Sequence, residues 1–512
     1  IPAQAAGQTV AFYLSAQDGA GAVNNWPADI TRPAHYRVEN SLFISSFPTY
    51  RVIMTAAEES SLYGGLHKSN EPINCTFIFN EEDIYYNCGV RFTGSPYGRR
   101  GGGYRGFKVS FKDDERLHGV KWMARFDSGQ NGGYRDRLSY DLLQIMRVPT
   151  CPTEWFGIRV NGRNEGVMED ILPPGKRYLN LFFRGGDDEN LFEISNYYGF
   201  TDDDDSNPQN FFRRDTTFED WGDDKDDYRW WYRLRNNQTE DDFTTLIAMV
   251  KTLANSPDAT YQEDIASVID VEQWMRVMAV RSVNNDWDFF GTEQSKNAYI
   301  YWPKETKRWI LLPWDCELTY EAGGWRYDSG LYCYGPARNV IRRFQQFGGN
   351  HHYFLNAMHE YYTKYFTHAY MDPLIDHYYS VIGGVSPSSV KGFIDARRSQ
   401  HVTPLLNQYM PPTPGTGISI SETGPLVVTT PMVTLHGTAP VNATYVRVNG
   451  VDYKLDWTSA NDWVGTFQVL AGSNDVVLTF LDYDKQPIGS DIEARRSAEA
   501  PLPAWRSAMS FC

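Results

Sequence analysis

Apolar and polar positions change period several times along the 512 residues. Residues 1–48 alternate short apolar runs with Pro, Asn and Gly, which predicts strands and loops without helix. From Tyr50, "YRVIMTAAEESSLYGGL" passes from a strand pattern to a helical one, and "CTFIFNEEDIYYNCGVRFTG" reads as strand, polar turn, strand. After the glycine- and arginine-rich stretch "GSPYGRRGGGYRG", Phe107, Val109 and Phe111 alternate with Lys108 and Ser110. That period of two turns Lys108 away from the apolar face. Leu138, Leu142, Ile145 and Met146 have helical spacing, and Asn161-Gly162 between two apolar runs predicts a hairpin.

Beyond residue 240 the three-and-four spacing of helices dominates, in "EDDFTTLIAMVKTLANS", "DVEQWMRVMAVRSVNND", "ARNVIRRFQQF", "HHYFLNAMHEYYTKYF" and "PSSVKGFIDARRSQH". A strand pair, "AYIYW" and "RWILLPWD", interrupts them. "MPPTPGTG" is a linker by composition. Short strands separated by turn residues follow, with Asn449-Gly450 at one hairpin, the pattern of an immunoglobulin-type β-sandwich. Between the halves, residues 196–240 are rich in acids and aromatics and read as a solvated acidic loop; they lack the Gly and terminal Glu of an EF-hand.

Charge narrows the function. With 48 Lys and Arg against 64 Asp and Glu, the net charge is −16, which repels nucleic-acid phosphates. No stretch approaches the ~20 apolar residues of a membrane span. The start "IPAQAAGQTVAFYL" has no initiator Met, as expected of a mature terminus or of a fragment. Six cysteines without a C-x-x-C pair favour disulfides over zinc in a secreted chain. His351 and His352 are expected to be one core and one surface residue rather than metal ligands.

Phosphoryl transfer needs a cation for the phosphates, oxygen ligands for Mg²⁺ and a carboxylate at the acceptor hydroxyl. Gly101, Gly102 and Gly103, flanked by arginines, form a flexible basic loop, and Lys108 stands on the next strand. Asn284, Asn285, Asp286 and Asp288 follow a helix, Asn297 opens a strand, and Asp315 ends a buried one. A carboxylate placed there is costly unless it is paired or binds a metal. Asp286 and Asp315 read equally well as a helix cap and a turn cap.

In order, "YRVIMTAAE", "GVRFTG", "FKVSF", "RDRLSYDLLQIMRVPTCPTEWFGIRVNGRNEGV" and "NND…KNAYIYW…WILLPWDCELTY" resemble the CotH family of atypical secreted kinases, from about Tyr50 to about residue 400. The resemblance implies an α+β fold with a two-lobed, protein-kinase-like plan: a β-rich N-lobe at about 49–195, the insertion at 196–240 and a mainly helical C-lobe at 241–408. An extension at 1–48, a linker at 409–417, the sandwich at 418–497 and a tail at 498–512 complete the chain.

By the same resemblance, ATP with Mg²⁺ or Mn²⁺ phosphorylates protein hydroxyls outside the cytoplasm. Lys108, with Arg91 of "GVRFTG" and the three glycines, holds the nucleotide; Asp286 is the catalytic carboxylate, with Asp288 its rival; Asp315 and Asn297 hold the metal. The partners implied are secreted or surface proteins, as substrates or in assembly. Glu317 stands where the family often has a second Asp, Lys296 where it has His, and Glu169 and Asp170 are displaced from its acidic position. These departures keep open a catalytically degenerate fold serving as a structural or adhesive surface protein.

Overall fold

In the computed structural model, residues 3–496 are described apart from 66–68, 95–98, 100–105, 122–125, 128–132, 187, 201–210, 322–329, 414, 423–425, 427–429 and 470–473. Gly101, Gly102, Gly103, the Asp202–Asp205 run and Cys512 lie outside the described residues. The chain is α+β. Near its start, β1 (Thr9–Phe12), β2 (Leu14–Gln17), β3 (Val23–Trp26) and β4 (Ala34–Arg37) make two antiparallel pairs, β1 with β4 and β2 with β3.

A closed barrel follows. It uses β5 (Thr49–Ile53), then, beyond helix α1 (Ala56–Tyr63), β6 (Ile73–Phe79), β7 (Asp83–Phe92), β8 (Phe107–Ser110) and β9 (Phe126–Asp127). After helix α2 (Arg135–Ile145) come β10 (Thr153–Val160) and β11 (Arg163–Ile171). The order is β10-β11-β9-β8-β7-β6-β5, and parallel pairing of β5 with β10 closes it. Closure leaves no open sheet edge. Val52, Phe77, Val90, Phe107, Val109, Ile158 and Met168 fill the interior. Phe107 and Val109 are buried and Lys108 and Ser110 only partly so, as the period of two requires. At the β10–β11 turn Asn161 and Gly162 have φ of 48° and 77°, the paired positive angles of a type I′ hairpin. Thr55 and Glu58 cap α1 reciprocally.

The larger core starts at Tyr134 and α2 and runs to Leu406, with Val441 and Ala460 added from the last part of the chain. Helix α3 (Lys176–Phe182) leads to β12 (Leu191–Ile194), the hairpin β13 (Tyr197–Phe200) and β14 (Phe211–Arg214), and β15 (Tyr232–Leu234). Helices α4 (Thr244–Asn255), α5 (Tyr261–Val268) and α6 (Val271–Val283) precede β16 (Ala298–Tyr301) and β17 (Ile310–Pro313). Helices α7 (Arg338–Gln346), α8 (Gly348–Lys364), α9 (His368–Ile382), α10 (Pro387–Arg397) and α11 (Thr403–Leu406) complete the region. The sheet order is β15-β12-β16-β17.

One expectation changes here. The acidic insertion is more than a solvated loop: β15 is a strand of this sheet, and Phe218, Tyr228 and Tyr232 are fully buried. Its aromatics reward burial although its acids favour water. Helix α9, absent from the sequence reading, carries Pro373 in its interior; the missing N–H reads as a breaker, while Met371, Ile375 and Tyr378 bury its inner face.

The last part has two four-stranded antiparallel sheets around one core. The first, in order β18-β19-β23-β22, contains β18 (Ser419–Ile420), β19 (Met432–Thr438), β22 (Asp456–Trp457) and β23 (Asp462–Gln468). The second, in order β21-β20-β24-β25, contains β20 (Tyr445–Val448), β21 (Val451–Lys454), β24 (Asn474–Leu481) and β25 (Ile492–Arg496). This unit rests on α8. A Cβ on Gly349 would lie 1.8 Å from the Trp457 carbonyl oxygen, so only glycine permits the approach. His352 stacks on Trp457 at 3.2 Å, its ring nitrogens 2.9 and 3.0 Å from the Ala460 and Ala443 carbonyls. Both His351 and His352 are buried, so neither is the expected surface residue; the neighbouring unit covers this side of α8.

Disulfides are also corrected. Among the described residues, Cys75, Cys88, Cys151, Cys316 and Cys333 form no disulfide. Cys75 and Cys88 face each other across β6 and β7, but the Cys88 thiol donates to the Tyr85 carbonyl. Cys333 donates to the Phe290 and Thr292 carbonyls rather than meeting Cys316. Among the described residues no helix is long and apolar enough to cross a membrane.

Candidate active site

Helix α6 starts at an Asp270 cap and buries Trp274, Met275, Met278 and Val283. It ends at Asn284, and Asn285 turns into the left-handed region at φ 53°. Asn and Asp tolerate that conformation best after glycine. Asn297 (φ 60°) and Asp315 (φ 58°) adopt it too, just before β16 and just after β17. Three such residues turn the helix end and the hairpin ends toward one another.

Arg281 ties these turns together. It is buried, and its Nε and Nη2 approach Asp286 Oδ2 at 2.6 and 2.5 Å. Nη1 donates to the carbonyls of Asn297 (2.8 Å) and Trp314 (3.1 Å), and Nη2 to that of Asp315 (3.3 Å). One guanidinium thus fixes the loop after α6 and both ends of the β16–β17 hairpin. From the other side, Tyr361 of α8 donates to Asn284 Oδ1 at 2.7 Å, and Arg397 of α10 donates to the Ser282 carbonyl at 2.6 Å.

Asp286 is fully buried, and burial pushes its carboxyl up to about 7, against the pull of Arg281 and with help from Asp288 and Glu317. Its Oδ1 has no hydrogen-bond partner among the described residues. Asp288 accepts from Lys296 Nζ at 2.6 Å and Asn297 Nδ2 at 2.9 Å. Burial raises its carboxyl as well, and Lys296 opposes the rise.

Asp315 has two neighbours that the sequence reading did not assign to a metal. Asp136, in the first turn of α2, and Glu317 offer carboxylate oxygens that lie with that of Asp315 within 4.8 Å of one another. The chain holds them in place: Cys316 N donates to Asp136 Oδ1 at 2.6 Å, and Asp315 N to Tyr140 Oη at 3.0 Å. Three hard oxygen donors suit Mg²⁺ or Mn²⁺ and suit zinc poorly. Asn297 is directed to Asp288 rather than to this trio.

Lys108 and Arg91 stand opposite one another on β8 and β7. Burial, then Arg91 and Arg235, lowers the Lys108 ammonium to about 8, and Glu193 counteracts them. Glu193 of β12 pairs in register with Tyr299 of β16, two residues beyond Asn297, or about 7 Å along the strand. Glu193 Oε2 lies 3.6 Å from Arg235 Nε, and its charge acts on Lys108 in the same cluster. Glu169 instead accepts from Trp155 Nε1, and Asp170 from the Tyr50 hydroxyl. Asp136, Arg281 and Glu193 escaped the sequence reading because each acts across a distance in the chain; only the polar "RDRLSY" start of an otherwise buried helix signals the first.

A family model described as CotH kinase protein matches residues 129–395, more than half of the chain. The matched span includes Asp136, Glu193, Arg281, Asp286, Asp288, Asn297, Asp315 and Glu317; Arg91 and Lys108 precede it. The inner spore coat protein H of Bacillus subtilis (strain 168) is 23% identical over 186 residues, which are 36% of this chain and 46% of that protein. The match therefore spans less than half the length of that relative. The carboxylate loop, the hairpin and the α2 acid all fall where the family model matches, and the chain belongs to the CotH kinase protein family.

Proposed function

We propose that this chain transfers the γ-phosphoryl group of ATP to protein hydroxyls. The observation that carries the reading is the oxygen trio of Asp136, Asp315 and Glu317 beside the Asp286–Asp288 loop, within a CotH-family chain. The trio would hold Mg²⁺ or Mn²⁺. Such a cation neutralises and aligns the phosphates when bound. Lys108, Arg91 and Arg235 supply positive charge at the phosphate end, and Glu193, paired with Arg235, balances part of it.

Of the two loop carboxylates, Asp288 is the better base. The Asp286 side chain is wholly buried and locked to Arg281, so it positions the loop. Asp288 retains 7% exposure beside Lys296 and Asn297, which hold its carboxylate toward an acceptor hydroxyl. Asn297 thus serves the base rather than the metal. The eight strands of the two C-terminal sheets fit an immunoglobulin-like module. The relative is by name a spore coat protein, which supports an extracellular or coat setting with secreted or surface proteins as acceptors.

Incubation of the chain with γ-labelled ATP and Mg²⁺ or Mn²⁺ tests the reading. Metal-dependent labelling of protein hydroxyls is expected. Absence of labelling with either metal, in the presence of candidate coat proteins, contradicts it and favours a structural role.

A further inference from the structure

The insertion carries a groove apart from the site above, with a volume of about 640 Å³, lined by Asp215, Thr217, Glu219, Trp221, Asp227 and Trp231. Its aromatic wall is fixed: the Trp221 and Trp231 rings lie 5.8 Å apart at 49°, Trp221 packs on Tyr228 at 5.3 Å, and Trp221 N donates to the Tyr228 hydroxyl at 3.1 Å.

Several acids of the insertion that do not line the groove are paired: Asp223 with Lys251, Asp226 with Arg229, and Asp241 with both Arg229 and Lys225. Glu219 and Asp227, which line the groove, make no ion pair among the described residues; Glu219 accepts only from the Thr217 hydroxyl. Indole faces attract cations through the ring quadrupole, and unneutralised carboxylates at the rim add Coulomb attraction. A neutral or anionic ligand would use neither.

We infer that this groove binds an organic cation, a protonated amine or guanidinium on an aliphatic chain. Its aliphatic part lies against Trp221 and Trp231, and its charge meets Glu219 and Asp227. Phe218, next in the chain to Thr217 of the groove wall, is buried and stacks on Phe290 at 5.3 Å, which anchors this wall to the core.

Calorimetric titration of the full chain without nucleotide or metal tests this independently of phosphoryl transfer. The probes are spermidine, Nα-acetyl-lysine amide and Nα-acetyl-arginine amide, with Nα-acetyl-citrulline amide and cellobiose as neutral controls. Cations are expected to bind and the controls not. Glu219→Gln with Asp227→Asn, both on exposed side chains, should weaken binding about tenfold without unfolding the chain. Tighter binding of spermidine assigns the site to a free polyamine; tighter binding of the amides assigns it to a partner's side chain. Absence of cation binding, equal binding of a neutral control, or an unchanged affinity in the double variant overturns the inference.

Discussion

Two acidic regions of this chain have opposite physics. Around the end of α6, Asp136, Asp286, Asp288 and Glu317 are all less than a tenth exposed. In the insertion, the side chains of Asp223 and Asp226 are 92% and 69% exposed. Water solvates the second set, and its ion pairs contribute little. The first set bears a desolvation penalty that Arg281, Lys296 and local hydrogen bonds offset in part, and that the proposed cation would offset further. Acid density in the sequence points to the insertion, whereas burial points to the centre where phosphoryl transfer is proposed.

Substitutions on the two sides sharpen this contrast. The largest effect is expected for Asp288→Asn, which should lower phosphoryl transfer about 10²–10⁴-fold with an unchanged unfolding midpoint, read by label incorporation and circular dichroism. A wild-type rate would return the role of base to Asp286. Next, Arg281→Met leaves the Asp286 carboxylate buried without its partner and should destabilise the chain by about 3–5 kcal/mol in urea unfolding. Adding Asp286→Asn should recover part of that loss.

Lys108→Met should weaken ATP binding about tenfold, as loss of one buried cation at a phosphate. Its pH dependence has a definite sign. The lowered ammonium is protonated below about 8, so wild-type affinity should fall as pH rises through about 8. Unfolded lysine keeps its proton to about 10.4, so between these values deprotonation relieves the burial penalty and adds stability. Calorimetry of the variant should show neither trend. The smallest effect belongs to the insertion: Arg229→Ala removes its exposed pairs with Asp226 and Asp241 and should leave midpoint and transfer rate unchanged.

What the sequence disclosed follows the range of the interactions. The period of two at 107–111 correctly turned Lys108 out of the barrel core, and Asn161-Gly162 and Asn449-Gly450 marked real hairpins. The polar loop after α6 and Asp315 after β17 were visible because apolar runs bracket them, and Arg281 does join them. Asp136 was hidden because it reaches Cys316 across 180 positions, and Glu193 because its charge acts on Lys108 from a strand far along the chain. Charge density concealed the buried face of the insertion, and Pro373 concealed α9. The expected disulfides failed because thiol spacing along a chain carries no information on which carbonyl each thiol meets.

Thermal unfolding with and without Mg²⁺ or Mn²⁺ and ATP, in the wild type and in Asp315→Ala, probes the proposed nucleotide site itself. A ligand bound to the native state alone raises its apparent stability by mass action. A metal-dependent ATP shift is expected in the wild type and none in the variant. The same shift in both proteins, or none in the wild type at millimolar ligand, would contradict a nucleotide site built on Asp136, Asp315 and Glu317.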